Sequence, residues 1–155
     1  MKANVAVRGL NVTANIRNVF SPQNVADEYA NWIASYPWTW FVTFTTPYEL
    51  TLKSARRAME RYFTHTSNLT LNPQMLFWVA EPFECKDGYH THGLFYSDIT
   101  FKKAVEAYQI TSAAKRHGNY ARIHLSRYNP RKAAARYCAK YLLKRYSDYD
   151  LLLSR

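Results

Sequence analysis

Two clusters in this sequence hold residues whose types and spacing could do chemistry. The first is His90-Thr91-His92. Alternate residues of a β-strand point to one face, roughly 7 Å apart, so both imidazoles can reach one ion. An acid should complete such a site, and hairpin arithmetic selects one. Asp87-Gly88 is a strong two-residue turn signal. With those residues as the turn, Lys86 pairs with Tyr89, Cys85 with His90, Phe83 with His92 and Glu81 with Leu94. Glu81 then lies on the histidine face, diagonal to His92, while Glu84 has the opposite parity and points away. Two histidines and one carboxylate leave coordination positions open. That suits a hard divalent ion, Mg²⁺ or Mn²⁺, holding a phosphate oxygen. Cys85 falls on the same face, so a zinc set of Cys85, His90, His92 and Glu81 is the alternative. His124 reads as structural.

The second cluster is Tyr137, Lys140, Tyr141 and Lys144. At 3.6 residues per turn, positions i, i+3, i+4 and i+7 form one helical stripe. Ala134, Ala135, Cys138 and Leu142 lie roughly opposite and are expected to pack on a sheet. A stripe at this spacing is usually apolar; here it carries two phenols and two ammonium groups. A phenol titrates near about 10. Neighbouring Lys⁺ would favour the phenolate and offset charge on a phosphoryl group, and a tyrosine oxygen can be a covalent nucleophile. The plain alternative is an amphipathic helix with rim tyrosines and solvated lysines; among 13 tyrosines in the chain, two on one helix carry limited weight alone.

These side chains need elements to hold them. Ser21-Pro22 reads as a helix start, with the cap on Ser21 and Pro at the first helical position, running to about Ser35. Residues 38–46 alternate: Trp38, Trp40, Val42 and Phe44 on one face, Thr39, Phe41, Thr43 and Thr45 on the other. Residues 51–67 read as a helix, 75–83 and 89–96 as strands, 101–116 as a helix closed by Gly118, and 120–127 as a fourth strand. Pro130 opens a last helix to about Tyr146. The order predicts an α+β fold: an antiparallel sheet with packed helices in the split β-α-β layout of ferredoxin-like and RRM-like domains. Residues 1–37 are expected as an N-terminal arm and helix, 38–146 as the main domain, and 147–155 as a C-terminal tail.

Charge narrows the partner. The 155 residues carry a formal net charge of +10. From Lys115 to Arg145 there are ten Lys or Arg and no acid, among them Arg122, Arg127, Arg131, Lys132 and Arg136. The rest of the chain holds eleven basic and eleven acidic residues, so the whole surplus sits in this block. Such a block points to a polyanion, most often nucleic acid, or else to a solvated basic face. A hydrophobic content of 48% argues against disorder. No apolar run suits a membrane span or secretion signal. Two cysteines imply no disulfide framework and suit a reducing, cytoplasmic setting. No glycine-rich phosphate loop marks a nucleotide motor.

Taken together, the motifs resemble the HUH endonuclease superfamily, and within it rolling-circle replication initiators (Rep proteins) of the two-tyrosine phage or plasmid type. Phe41-Val42-Thr43-Phe44-Thr45 resembles the family's strand motif, and His90-Thr91-His92 its paired histidines, with Glu81 as the upstream acid. Tyr137 to Lys140 and Tyr141 to Lys144 resemble a doubled Tyr-x-x-Lys nucleophile motif. Thr91 stands where the family carries a hydrophobic residue, on the side away from the ion. Tyrosine follows the histidines, as in Rep proteins, whereas relaxases have the reverse order.

The resemblance implies an HUH nuclease fold and a metal-dependent, site-specific nickase and ligase of single-stranded DNA at a replication origin. Glu81, His90 and His92 would hold Mg²⁺ or Mn²⁺. One tyrosine would attack, leaving a 5′-phosphotyrosine and a free 3′-hydroxyl, and the other could make the second cleavage. Lys140 and Lys144 would position phosphate, and the basic block would grip the backbone. A host helicase and polymerase would be needed. The competing expectations are a non-catalytic nucleic-acid-binding module on an RRM-like sheet and a single-tyrosine HUH transposase.

Overall fold

The computed structural model describes residues 21–68, 73–97, 122–144 and 146–154. Helix α1, Pro22–Ala34, starts where the sequence predicts, with the Ser21 hydroxyl accepting from Asn24 N at 3.2 Å. Strand β1, Trp40–Thr45, follows. Helix α2, Leu52–Ser67, opens on a reciprocal cap in which the Thr51 and Ser54 side chains each accept from the other's backbone N–H. Then come β2, Gln74–Pro82, β3, Tyr89–Ser97, and β4, Arg122–Arg127. A 3₁₀ turn, Pro130–Lys132, leads into α3, Ala134–Leu142, and the last element is β5, Tyr149–Leu153.

The architecture is α+β. Five strands form one sheet in the order β4-β1-β3-β2-β5, with every neighbouring pair antiparallel. Strand alternation splits the core into two layers. Trp40, Val42, Phe44, Leu76, Trp78 and Phe95 pack with Met59, Tyr62 and Phe63 of α2 on one face. Phe77, Val79 and Leu94 pack with Ile33 of α1 and Ala135, Cys138 and Ala139 of α3 on the other. Full burial of a large apolar side chain contributes about 1.5–3 kcal/mol, so each layer has ample material to hold its helices. None of the described helices is long and apolar enough to cross a membrane.

The structure departs from the sequence reading in four places. Asp87-Gly88 does not form a two-residue turn: β2 and β3 are joined by residues 83–88, and Glu81 pairs with His90 and Val79 with His92. Phe83 N donates to Gly88 O at 3.1 Å, and Gly88 adopts φ 92° beside Glu49, where a side chain would be strained. The register is displaced by four residues from the one expected. Because four is even, Glu81 keeps the histidine face and now stands directly opposite His90.

Trp38 leaves the face of Trp40: β1 starts two residues later, and the Trp38 indole N–H donates to Ile33 O at 2.6 Å in the α1 layer. The helix expected from Pro130 to Tyr146 is shorter. Asn129 caps only the 3₁₀ turn, accepting from Arg131 N at 2.9 Å, and Ala133 at φ 55° breaks the path before α3 begins. At its other end Lys144 N bonds Tyr141 O, and the Ser147 hydroxyl donates to the same carbonyl.

The segment expected as a tail supplies β5, paired with β2. It is tied to α2 by Arg56, whose guanidinium donates to Asp148 at 2.9 and 2.6 Å, to Asp150 at 2.8 Å and to the Tyr149 carbonyl at 3.1 Å. These bonds, those to Asp148 first, hold the Arg56 pKa above its ordinary value. The arm over residues 1–20 and the helix expected over 101–116 lie outside the described residues.

Candidate active site

The face of the sheet that meets α1 and α3 carries a polar cluster at the β2–β3 end. Register assembles it: Glu81 lies opposite His90, His92 opposite Thr43 of β1, and Thr43 opposite His124 of β4. His92 Nε2 lies 2.6 Å and His90 Nε2 3.1 Å from Glu81 Oε2. A carboxylate accepts, so each Nε2 at this oxygen is a donor. Thr43 Oγ1 stands 2.9 Å from His92 Nδ1. Burial, then the neighbouring charge of His90, lowers the His92 pKa to about 4, against the pull of Glu81. The ring is therefore neutral near pH 7. Its Nε2–H donates to Glu81, and the Thr43 hydroxyl donates to Nδ1. The Phe41 ring lies parallel to His92, with centroids 5.8 Å apart, and holds the imidazole from the β4 side. His90 packs against the Phe83 ring, with centroids 4.8 Å apart, but its Nδ1 is buried and without a hydrogen-bond partner among the described residues.

Helix α3 brings both tyrosines to the same carboxylate. Tyr137 Oη donates to Glu81 Oε2 and Tyr141 Oη to Glu81 Oε1, so each oxygen of one acid is capped by a phenol. Tyr137 Oη also lies 3.3 Å from His92 Nε2, and the two phenol oxygens are 3.5 Å apart. Burial opposes ionisation of Glu81, but hydrogen bonds from Tyr137 and Tyr141, then the two histidines, outweigh it and the pKa falls below the ordinary carboxylate value. The phenols respond in the opposite sense. Burial and donation to Glu81 raise Tyr137 well above the tyrosine range and push Tyr141 up to about 12.

This reverses the expected phenolate stabilisation. The lysines of the stripe do not lower the phenol pKa values: Lys144 Nζ lies 4.6 Å and Lys140 Nζ 5.5 Å from the Tyr141 ring centroid, a contact with its face. The tyrosines also differ in access. Tyr137 is 37% exposed and Tyr141 2%. Ala134, Ala135 and Cys138 are buried against the sheet as the spacing predicts, joined by Ala139, and Leu142 is partly buried. Burial pushes the Cys138 thiol up to about 12, so it packs as an inert apolar group.

Glu81, His90 and His92 offer ligand atoms that all lie within 4.8 Å of one another. Three groups able to present lone pairs converge on one point that protons now bridge, and a His₂-carboxylate set at that point fits a divalent cation. Cys85 is exposed in the 83–88 loop and belongs to no such group, so the four-residue zinc set is not assembled. His124 is likewise not part of the ligand group. Thr91 faces the opposite layer, fully buried, with its hydroxyl 3.1 Å from Met59 Sδ.

Two of the described basic residues have partners within the fold. Arg127 lies over the Trp40 ring at 4.3 Å, and Arg136 pairs with Asp27 of α1 at 2.5 Å. Arg131 is exposed in the 3₁₀ turn. Two concavities adjoin Tyr137. One of about 370 Å³ includes Arg127 in its wall, and one of about 580 Å³ includes Arg136 and Lys140. The side chains of Arg122 and Lys132 lie outside the described residues.

Sequence reasoning missed the orienting contact of Thr43, although that residue was legible on a hydroxyl-lined strand face. It also missed Phe41, Ser126 and Asn129 beside Tyr137; the signal for these is the β1–β4 pairing, which local pattern does not give.

The fold and site thus define an α+β domain with a histidine–carboxylate cluster capped by two helical tyrosines. Compared with known families, curated proteins and solved structures, the chain gives no match.

Proposed function

We propose that this chain is a metal-dependent nickase and strand transferase of single-stranded DNA, of the HUH type, that initiates rolling-circle replication. One observation carries the reading: two tyrosines four residues apart on α3 meet a single carboxylate that also receives both histidines of β3. A structural polar network has no need of two phenols at one candidate ligand. The strand order β4-β1-β3-β2 is compatible with the split β-α-β layout that this reading requires.

Glu81, His90 and His92 would hold Mg²⁺ or Mn²⁺, which when bound supplies Lewis-acid polarisation of the scissile phosphate. The chain's own residues do the rest. Tyr137 Oη attacks phosphorus: the Oη–P bond forms, the P–O3′ bond breaks, the phenol proton goes to water and the 3′-oxygen leaves with a solvent proton. The phosphotyrosine conserves the phosphodiester bond for rejoining. Tyr141, 3.5 Å away oxygen to oxygen, is near enough for a second transfer. Its lysine neighbours supply positive charge beside the reacting group. Arg127, Arg131, Arg136 and the rest of the basic block hold the backbone, with salt-sensitive affinity. A host helicase and polymerase would complete replication.

A second reading has one observation in its favour. The Glu81 carboxylate already accepts from four groups, as in a satisfied structural network. On that reading the domain binds nucleic acid without cutting it.

The test incubates a randomised pool of single-stranded DNA with the protein and Mn²⁺, then looks for a covalent adduct on a denaturing gel. The expected result is an adduct that Tyr137→Phe strongly reduces and chelation abolishes. Absence of any adduct, with identical melting of metal-free and Mn²⁺-loaded protein, selects the binding module. An adduct unchanged by both Tyr137→Phe and Tyr141→Phe refutes the nucleophile assignment.

A further inference from the structure

The cavity of about 370 Å³ between β4 and α3 shares two walls with the site, His92 and Tyr137, yet no step described above uses it. We propose that it receives one unpaired base of the nicked strand, next to the scissile phosphate, and reads that base through β4. This rests on the nickase reading and deepens it.

Size and lining favour such an occupant. The volume lies in the range of small-molecule sites and accommodates a single nucleobase with part of its sugar. The wall is aromatic: the Phe41 ring lies parallel to His92 and meets Tyr137 edge-on, with centroids 6.3 Å apart. Flat aromatic rings are stacking platforms for bases. Polar groups converge from one side. Register puts Ser126 opposite Phe41 and His124 opposite Thr43, so both belong to the same sheet face as Phe41 and His92. Neither has a hydrogen-bond partner among the described residues. Asn129 spends its Oδ1 on Arg131 N, which leaves its Nδ2 to donate.

The available groups are thus an imidazole, a hydroxyl and an amide, which match the donors and acceptors of a neutral heterocycle's edge. Among the described residues no carboxylate lines the cavity, so an anionic backbone is not repelled there. A base seated against Phe41 brings its own phosphate toward Tyr137, the most exposed nucleophile candidate of the site.

Two measurements test this. In the first, single strands carrying 2-aminopurine at one position at a time are titrated with metal-free protein, so that no cleavage intervenes. Stacking should quench one position, and Ser126→Trp, which fills the cavity, should abolish that quench and weaken binding by roughly tenfold. In the second, cleavage of a randomised single-strand pool with Mn²⁺ is sequenced. The wild type should prefer one base at a position beside the nick, roughly tenfold or more over the others, and Asn129→Ala or His124→Ala should cut that preference to less than about threefold.

Thermal melting of each variant identifies any that fails to fold, and Asn129→Ala, in an exposed turn, keeps the test valid if Ser126→Trp does. If the variants fold and keep both the quench and the preference, the pocket assignment is wrong while the nickase reading stands. If the quench responds to Ser126→Trp but no DNA forms an adduct, the base site stands and the cleavage chemistry falls.

Discussion

Thr43→Val tests the cluster at the contact that sequence alone did not reveal. In the metal-free protein the Thr43 hydroxyl serves His92 Nδ1 at 2.9 Å, and the His92 side chain is only 7% exposed. Metal at Nε2 requires the other tautomer, with the proton on Nδ1 and Thr43 Oγ1 accepting. A hydroxyl can do either by rotation; a methyl can do neither. Valine keeps the branched shape, so the substitution removes the partner with little change in packing. It leaves a buried N–H unpaired in the metal-bound state, which costs about 1–3 kcal/mol. Loss of such an orienting partner lowers metal affinity by roughly 10–100-fold, about 1.4–2.7 kcal/mol, and the two routes to the magnitude agree. Calorimetric titration of Mn²⁺ into metal-free protein near neutral pH measures it. Thr43→Ser should restore affinity to within about threefold. If Thr43→Val binds Mn²⁺ as tightly as the wild type while folding normally, the tautomer argument is wrong. If the serine variant is as weak as the valine one, the methyl group is what matters.

Two further outcomes follow from the same geometry. The fold lowers the His92 pKa from 6.5 to about 4, so the unfolded chain takes up the proton first as pH falls. Metal-free protein should keep its full stability above about pH 6.5 and lose about 3 kcal/mol by pH 4, a fall that Glu81, also depressed, reinforces at its lower end. Urea unfolding across that range checks the sign, and a stability that rises on acidification would contradict it. Arg56→Ala removes the guanidinium that joins α2 to Asp148 and Asp150; because that side chain is 36% exposed, the expected loss is only about 1–2 kcal/mol. Arg56→Lys should not recover it, since an ammonium cannot make both forked contacts, and denaturant melts of the two variants decide the point.

Local pattern made the two faces of β1, the cap of α1 and the His90–His92 pair readable, because each depends on residues within a few positions. Glu81 was found by parity rather than by register: the turn was misread, but an even displacement returned the same face. The course of α3 was harder. Pro130 signals a helix start in either geometry, and only the left-handed backbone of Ala133 separates the 3₁₀ turn from the helix. Residues 149–153, Tyr-Asp-Leu-Leu-Leu, are short and do not alternate, so they announce no strand; β5 exists because the β2 edge and Arg56 receive it. The phenol–carboxylate contacts join residues 56 and 60 positions apart, so they are consequences of packing between layers.

The 83–88 connection carries none of the clustered ligands. The Glu81–His90 pairing is set within the strands; from the loop, the Phe83 ring lies 4.8 Å from His90 and the Glu84 charge acts on Tyr141. Residues 85–87 are therefore a natural graft point, where a recognition peptide or reporter could be spliced in beside the chemistry while the strand pairing holds Glu81 opposite His90. Gly88 would serve as the fixed hinge at which any such insert must end.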